Sequence, residues 1–134
     1  MDIPEILKSC RCVAVLGARD RASRAGFYVG EYLASAGYEV VGVNPRLAGS
    51  ELWGRPVVAT LADIEGPIDL VDVFRRSEDV PSHLEEILAL DPLPKVVWLQ
   101  LGIRNEAVAQ ALRAQGIVVV QDRCTLAEHR RLGL

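Results

Sequence analysis

The sequence predicts a single α/β domain over residues 1–134: a Rossmann-like, doubly wound, mainly parallel sheet of five to six strands with helices on both faces. Three observations carry this expectation. Short runs rich in Val, Ile and Leu (Cys12–Leu16, Glu39–Val43, Ile68–Phe74, Lys95–Leu99 and Ile117–Val120) alternate with segments of helical periodicity. The runs are almost continuously apolar, as strands covered on both faces must be. Glycines and prolines mark the boundaries, and no repeat, low-complexity tract or linker divides the 134 residues.

In chain order, Ile3–Lys8 reads as a short amphipathic helix with Pro4 in its first turn. The strand Cys12–Leu16 ends at Gly17 and passes through an arginine-rich loop into a helix over Gly26–Ser35, where Phe27, Val29, Gly30, Leu33 and Ala34 recur at helical spacing. Gly37 is placed to cap that helix in a left-handed conformation. The β-branched strand Glu39–Val43 stops at Asn44-Pro45, because proline cannot extend a ladder. A polar loop, Arg46–Gly54, leads to an expected short edge strand at Pro56–Ala59 and one or two helical turns at Thr60–Ile64. Gly66-Pro67 turns the chain into the strand Ile68–Phe74. Ser77–Leu90 is expected as one helix capped by Ser77, with Glu78 and Asp79 at the positive end of its dipole. After the break Asp91–Pro94 come the strand Lys95–Leu99, a helix over Arg104–Gln115 closed by Gly116, and the strand Ile117–Val120. Thr125-x-x-Glu128 reads as a capping box opening a terminal helix.

Half of the residues are hydrophobic, an ordinary globular balance. The net charge of −3 argues against a general nucleic-acid binder. No apolar run is long enough to cross a bilayer, so no membrane partner is expected. Met1–Glu5 lacks the basic start and apolar core of a signal peptide, so a cytoplasmic location is expected. Cys10, Cys12 and Cys124 lack the spacing of a zinc set and read as small apolar core residues.

In an open parallel sheet, ligands bind beyond the carboxyl ends of the strands. The residues there are Gly17-Ala18-Arg19 with the loop through Arg24 to Gly26, then Asn44-Pro45-Arg46, Phe74-Arg75-Arg76, Gln100-Leu101-Gly102, and Gln121-Asp122-Arg123. Arginine stands at four of these five strand ends, a basic rim inside an acidic protein. Such a rim fits a polyphosphate ligand, with helix-start amides adding to it. A hydride-transfer enzyme would need G-x-G-x-x-G and an acid closing the second strand; here Gly17-Ala18-Arg19 lacks the second glycine and Asn44 stands where the acid would be. Arg46 could still admit a 2′-phosphate, which keeps an NADP-dependent redox module as an alternative. There is no Walker lysine, no nucleophile elbow, and no partner spaced for a triad with His83 or His129. Asp72, inside a strand, is better explained as a hydrogen-bonded buried carboxylate than as a catalytic base, since no His or Lys partners it. Trp98 and Phe74 read as core residues.

Five segments then carry a family resemblance: Val13–Ala18, Val43-Asn44-Pro45, Asp69–Arg76, Lys95–Gly102 and Gln121–Cys124. Together they resemble the small single-domain CoA-binding proteins of bacteria and archaea, which are similar to the CoA-binding domain of the succinyl-CoA synthetase α subunit. The resemblance covers nearly the whole chain and implies a Rossmann-like sheet binding coenzyme A or an acyl-CoA. Residue by residue, it implies contacts from Gly17, Ala18 and Arg19, from Arg46 after Asn44-Pro45, from Phe74 and Arg75, and from Gln100 and Leu101. The synthetase also needs a second domain with a phosphohistidine and a partner subunit, so ligase activity is not implied. The expectation is a CoA-binding carrier or sensor with no catalytic residue assigned; a regulatory module with a protein partner is a further alternative.

Overall fold

The computed structural model describes residues 1–134. Five parallel strands form the sheet: β1 (Cys12–Leu16), β2 (Glu39–Val43), β5 (Leu70–Val73), β6 (Val96–Leu99) and β7 (Val118–Val120), in the order β2-β1-β5-β6-β7. The two short strands between them, β3 (Glu51–Leu52) and β4 (Arg55–Pro56), pair with each other outside the sheet. The chain winds outward from β1 to β2, returns past β1, and continues through β5, β6 and β7. The strand order therefore reverses between β1 and β5, where an open α/β sheet leaves a crevice at its carboxyl edge.

Side-chain alternation divides the core into two layers. Val13 and Val15 of β1 and Val96 and Trp98 of β6 pack with α1 (Ile3–Ser9) and α2 (Ala25–Ser35). Ala14, Leu16, Val97 and Leu99 pack on the other face with α3 (Leu84–Leu88) and α4 (Glu106–Arg113). The last helix, α5 (Thr125–Leu132), touches α1 and α2 on the first face. At the amino edge, Asp69 accepts the backbone N–H groups of Arg11 and Cys12 at 2.8 and 2.9 Å, with Lys95 nearby at 3.5 Å. Burial opposes that charge, but the two amides and Lys95 hold the carboxyl below its ordinary range.

Four elements differ from the sequence reading. Pro56–Ala59 is not an edge strand; only Val58 bridges to Val43, and the pairing lies upstream in the β3–β4 hairpin. Its two turn residues, Trp53 and Gly54, both have positive φ, the geometry of a tight hairpin turn. The Trp53 indole lies over Gly30 so closely that a Cβ there would meet its ring, so tertiary packing holds a residue that turn chemistry would not select. Ser77–Leu90 is not one α-helix but a 3-10 helix, Ser77–His83, followed by α3. Pro81 has no N–H to give to an α-helical ladder, and the Ser77 hydroxyl accepts the Arg104 N–H instead of capping. α4 begins at Glu106 with Asn105 as its cap, two residues later than expected. Thr125 does not open a capping box: Cys124 is the cap, and the Thr125 hydroxyl donates to Asp72.

That last bond has a physical reason. Asp72 is fully buried, in register with Val15 and Trp98 on the face beneath α5. A carboxylate there needs donors. Thr125 Oγ1 supplies one at 2.9 Å and Gln100 Nε2 the other, and Gln100 Nε2 also reaches Thr125 Oγ1 at 2.9 Å. The closed triangle ties β5, β6 and α5 together. Burial pushes the Asp72 carboxyl up to about 7, the two hydrogen bonds holding it back only in part.

Gly17 fixes where the chain leaves β1. Its φ is +89°, and a Cβ would stand 2.5 Å from the Phe74 carbonyl oxygen. Only a residue without a side chain lets the β1 exit lie against the end of β5.

Two outcomes follow. Between the unfolded carboxyl value of 3.8 and about 7, native Asp72 binds more protons than the unfolded chain. Its contribution to stability therefore falls as pH rises through that window, by up to about 1.4 kcal/mol per pH unit. Denaturant melts of Asp72→Asn against wild type at pH 5 and pH 8 should show the variant gaining on wild type at the higher pH. Gly17→Ala should destabilise by about 2–5 kcal/mol, from left-handed strain plus overpacking, measured by the urea midpoint.

Candidate functional site

Three cavities of about 580, 520 and 450 Å³ adjoin one another across the carboxyl edge. The first lies among the β1–α2 loop, the start of α2 and the ends of β5 and β6; Arg19, Arg24, Gly26, Phe74, Arg75, Gln100 and Leu101 line it. The second crosses the crest between β2, β1 and β5, bounded by Gly17, Arg19, Asn44, Pro45, Arg46, Phe74 and Arg75. The third lies over the ends of β1 and β2 on the α3 side, with Gly17, Asn44, Pro45 and Arg75 again in its wall. Arg75 borders all three, so they form one groove that runs past this residue. A Cβ on Gly17 would come within 3.1 Å of Arg75 Cδ, so the bare glycine also beds this arginine.

Eleven of the twelve site residues expected from sequence therefore meet on the groove. Ala18 does not: it is fully buried, and its carbonyl accepts the Asn44 side-chain amide at 2.8 Å. Two others line the groove while their side chains serve the protein. Asn44 donates to Ala18 and accepts the Arg46 N–H at 2.9 Å, so it braces the two loops against each other. Gln100 is committed to Asp72 and Thr125.

The loop amides behave differently from the expectation of a phosphate cradle formed by Gly17, Ala18 and Arg19. Gly17 and Ala18 both donate to the Val43 carbonyl, at 3.0 and 3.3 Å, and Arg19 donates to the Gly26 carbonyl at 3.2 Å. The open donors lie one turn on. α2 has no side-chain cap, and the N–H groups of Ala25 and Gly26 find no acceptor in the protein. They border the first cavity, where the helix dipole favours an anion. Gly26 is required for this placement: a Cβ there would lie 2.9 Å from the Gly17 carbonyl oxygen and 3.0 Å from Arg19 Cγ.

The charges around the groove are unevenly matched. Arg76 is paired with Asp79 at 2.9 Å, and Arg75 reaches the same carboxylate at 3.9 Å. Arg19, Arg24 and Arg46 have no carboxylate within 4.0 Å; Arg104, Arg113, Arg123 and Arg131 elsewhere are paired, and Arg11, Arg21, Arg55 and Arg130, which are dispersed over the rest of the chain, are not. Three unpaired guanidinium groups on one concave edge form a field suited to a multiply charged anion.

Sequence reasoning missed the groove residues that do not sit at strand ends. Tyr28 lies one helical turn beyond Arg24, so the i,i+4 spacing placed both on one face of α2. Cys124 reaches the groove from the start of α5. In the third cavity His83 Nδ1 lies 2.9 Å from Glu86 Oε1, an i,i+3 pair that the 3-10 to α3 junction creates. The i,i+3 spacing within the helix expected over Ser77–Leu90 was a signal that could have found the pair.

Comparison with known proteins gives the family. A family profile described as a CoA binding domain matches residues 11–130. The protein YneT of Bacillus subtilis is 41% identical over 128 residues, covering 96% of this chain and 92% of its own. A solved Thermus thermophilus structure is 46% identical with a TM-score of 0.93, covering 98% of this chain and 99% of its own. A Pyrococcus horikoshii structure is 32% identical with a TM-score of 0.90, covering 99% of this chain and 91% of its own. A profile match across almost the full length, on a groove that gathers three unpaired arginines at the strand-order reversal, shows that this chain belongs to the CoA-binding domain family.

Proposed function

We propose that the chain binds coenzyme A along the carboxyl-edge groove and works as a carrier or sensor of it rather than as a catalyst. The observation that carries the reading is the set of unpaired cations, Arg19, Arg24 and Arg46, around Arg75. Coenzyme A bears a diphosphate and a 3′-phosphate, so its charge is spread over two positions and needs more than one guanidinium to neutralise it. The Ala25 and Gly26 amides add two fixed donors for one phosphate, and Arg46, past the end of β2, is available to the other. Asn44 acts in this reading as a positioning residue, since it holds the Arg46 backbone through its side-chain oxygen.

The carrier role is supported by the arginine-lined part of the groove, where guanidinium groups, amides and apolar side chains hold a ligand through charge, hydrogen bonds and area; in the third cavity His83 is hydrogen-bonded to Glu86, while Ser82 and Thr60 bond elsewhere and not to that histidine. Cys124 is the one thiol there; it stands at the N-cap position of α5, and its side chain makes no capping hydrogen bond.

Isothermal titration of the purified chain with coenzyme A, NADP and ATP in parallel tests the proposal. Coenzyme A should bind most tightly; tighter binding of NADP would replace this reading with a redox module, and no heat from coenzyme A at millimolar concentration would remove it. Arg46→Ala should weaken coenzyme A by about 1–3 kcal/mol, roughly 5- to 150-fold, with the loss shrinking as salt is added. Unchanged affinity would take Arg46 out of the site.

A further inference from the structure

The triangle of Asp72, Gln100 and Thr125 closes only when its protons are counted with Asp72 ionised. A carboxylate accepts and does not donate, the Gln100 amide donates two protons, and the Thr125 hydroxyl donates one and accepts another. Three contacts join the side chains: Gln100 Nε2 to Asp72 Oδ1 at 2.5 Å, Gln100 Nε2 to Thr125 Oγ1 at 2.9 Å, and Thr125 Oγ1 to Asp72 Oδ2 at 2.9 Å. Three protons fill these three contacts and none is left over. A proton on Asp72 makes four, and the fourth donor has no acceptor within the triangle. An unpaired donor at so buried a site costs free energy, so the protonated network has to open.

The three side chains are not equally free to yield. Asp72 is 0% exposed and Thr125 1%, whereas Gln100 is 5% exposed and borders the cavity of about 580 Å³. Gln100 is the member with open space beside it, so opening turns its amide toward the groove. Both chain neighbours of the triangle belong to the same wall: Leu101 follows Gln100, and Cys124 precedes Thr125.

No neighbouring charge shares this role. Val15 on β1 and Trp98 on β6 stand in register with Asp72 and are uncharged. α1 brings Ile6 and Leu7 into the core, and α2 brings Gly26, Val29, Gly30 and Leu33. α5 buries two titratable side chains, and both are engaged: Glu128 with Arg131 at 3.2 Å and Arg123 at 3.7 Å, and His129 with Tyr32 at 2.8 Å. The Cys124 thiol, at the N-cap position, is the remaining titratable group at the start of that helix. Burial, opposed by the two hydrogen bonds, accounts for the raised Asp72 carboxyl without a contribution from any charged group.

We infer that coenzyme A binding is coupled to loss of a proton from Asp72: the closed triangle sets the groove wall for the ligand, and a protonated Asp72 releases Gln100 into the space the ligand would occupy. The inference rests on the coenzyme A reading above and adds a mode of regulation to it. By reciprocity, a ligand that needs the closed wall must also favour the ionised carboxylate. Affinity is then highest above the Asp72 titration at about 7 and declines as pH falls through it.

Calorimetry with coenzyme A at pH 6 and pH 8, on wild type and Asp72→Asn, tests the coupling. Through Asp72, wild type should bind up to about ten-fold more weakly at pH 6, the limit for one coupled proton. The 3′-phosphate of coenzyme A titrates at about 6 as well and weakens binding in both proteins alike. Asparagine carries permanent donors where ionised Asp72 has only acceptors. The variant should therefore keep the phosphate contribution alone, and bind at pH 8 more weakly than wild type does. Carbon-13 NMR of the Asp72 carboxyl in wild type, which needs no variant to fold, should show its midpoint drop when coenzyme A saturates the chain. Equal pH dependence in the two proteins, or an Asp72 midpoint that stays in place or rises with ligand, overturns the inference and leaves coenzyme A binding standing. No binding at either pH removes the coenzyme A reading and the coupling with it.

Discussion

The close approach of Gly17 to the Phe74 carbonyl is the constraint on which the rest of this groove is built. Strands β1 and β5 are neighbours, yet the chain must leave β1 toward one face and β5 toward the other. Where two such exits lie side by side, a Cβ would hold them apart. The missing side chain lets the two ends meet, gives Arg75 a bed, and leaves the β1–α2 loop room to fold back so that Arg19 donates to the Gly26 carbonyl. Gly26 repeats the device one step later, against the Gly17 carbonyl. Two glycines thus place an uncapped helix start and a central arginine within one concave edge.

Beneath that edge lies a polar network with a different task. The Asp72–Gln100–Thr125 triangle joins the middle of the sheet to the start of α5 and fixes the residue that immediately precedes Leu101. A buried carboxylate held by two neutral donors is a poor source of stability. Its effect is geometric, because three side chains from three elements must be in register before any of them is satisfied. The groove wall after β6 therefore takes its position from the core as well as from its own turn bond, Ile103 N–H to the Gln100 carbonyl, and from Asp122.

The strands were legible because their signal is redundant: continuous apolar runs and the glycine or proline boundaries around them agree for Cys12–Leu16, Val96–Leu99 and Val118–Val120. The β3–β4 hairpin was not, because Trp53 stands where Asn or Asp would announce such a turn, and only packing on Gly30 explains it. Thr125 was legible as a helix start but not as a donor to Asp72, since a residue 53 positions away decided its bond. The site follows the same division. Strand ends located the arginines, because topology alone brings those positions together. Direction was not readable: Asn44 and Gln100 sit at the predicted edge and turn their polar groups inward, where unpaired carbonyl and carboxylate oxygens were waiting for a donor.

Trp98 adds a practical consequence. It is fully buried, and its indole N–H donates to the Arg123 carbonyl at 2.7 Å, one residue before Cys124 enters the groove wall. With Trp53 the only other tryptophan in the chain, intrinsic fluorescence has two sources, one anchored to the hairpin and one wired to the start of α5. Any ligand that shifts that helix start alters the polarity felt by a single indole, so the protein carries its own optical probe and occupancy can be followed without a label.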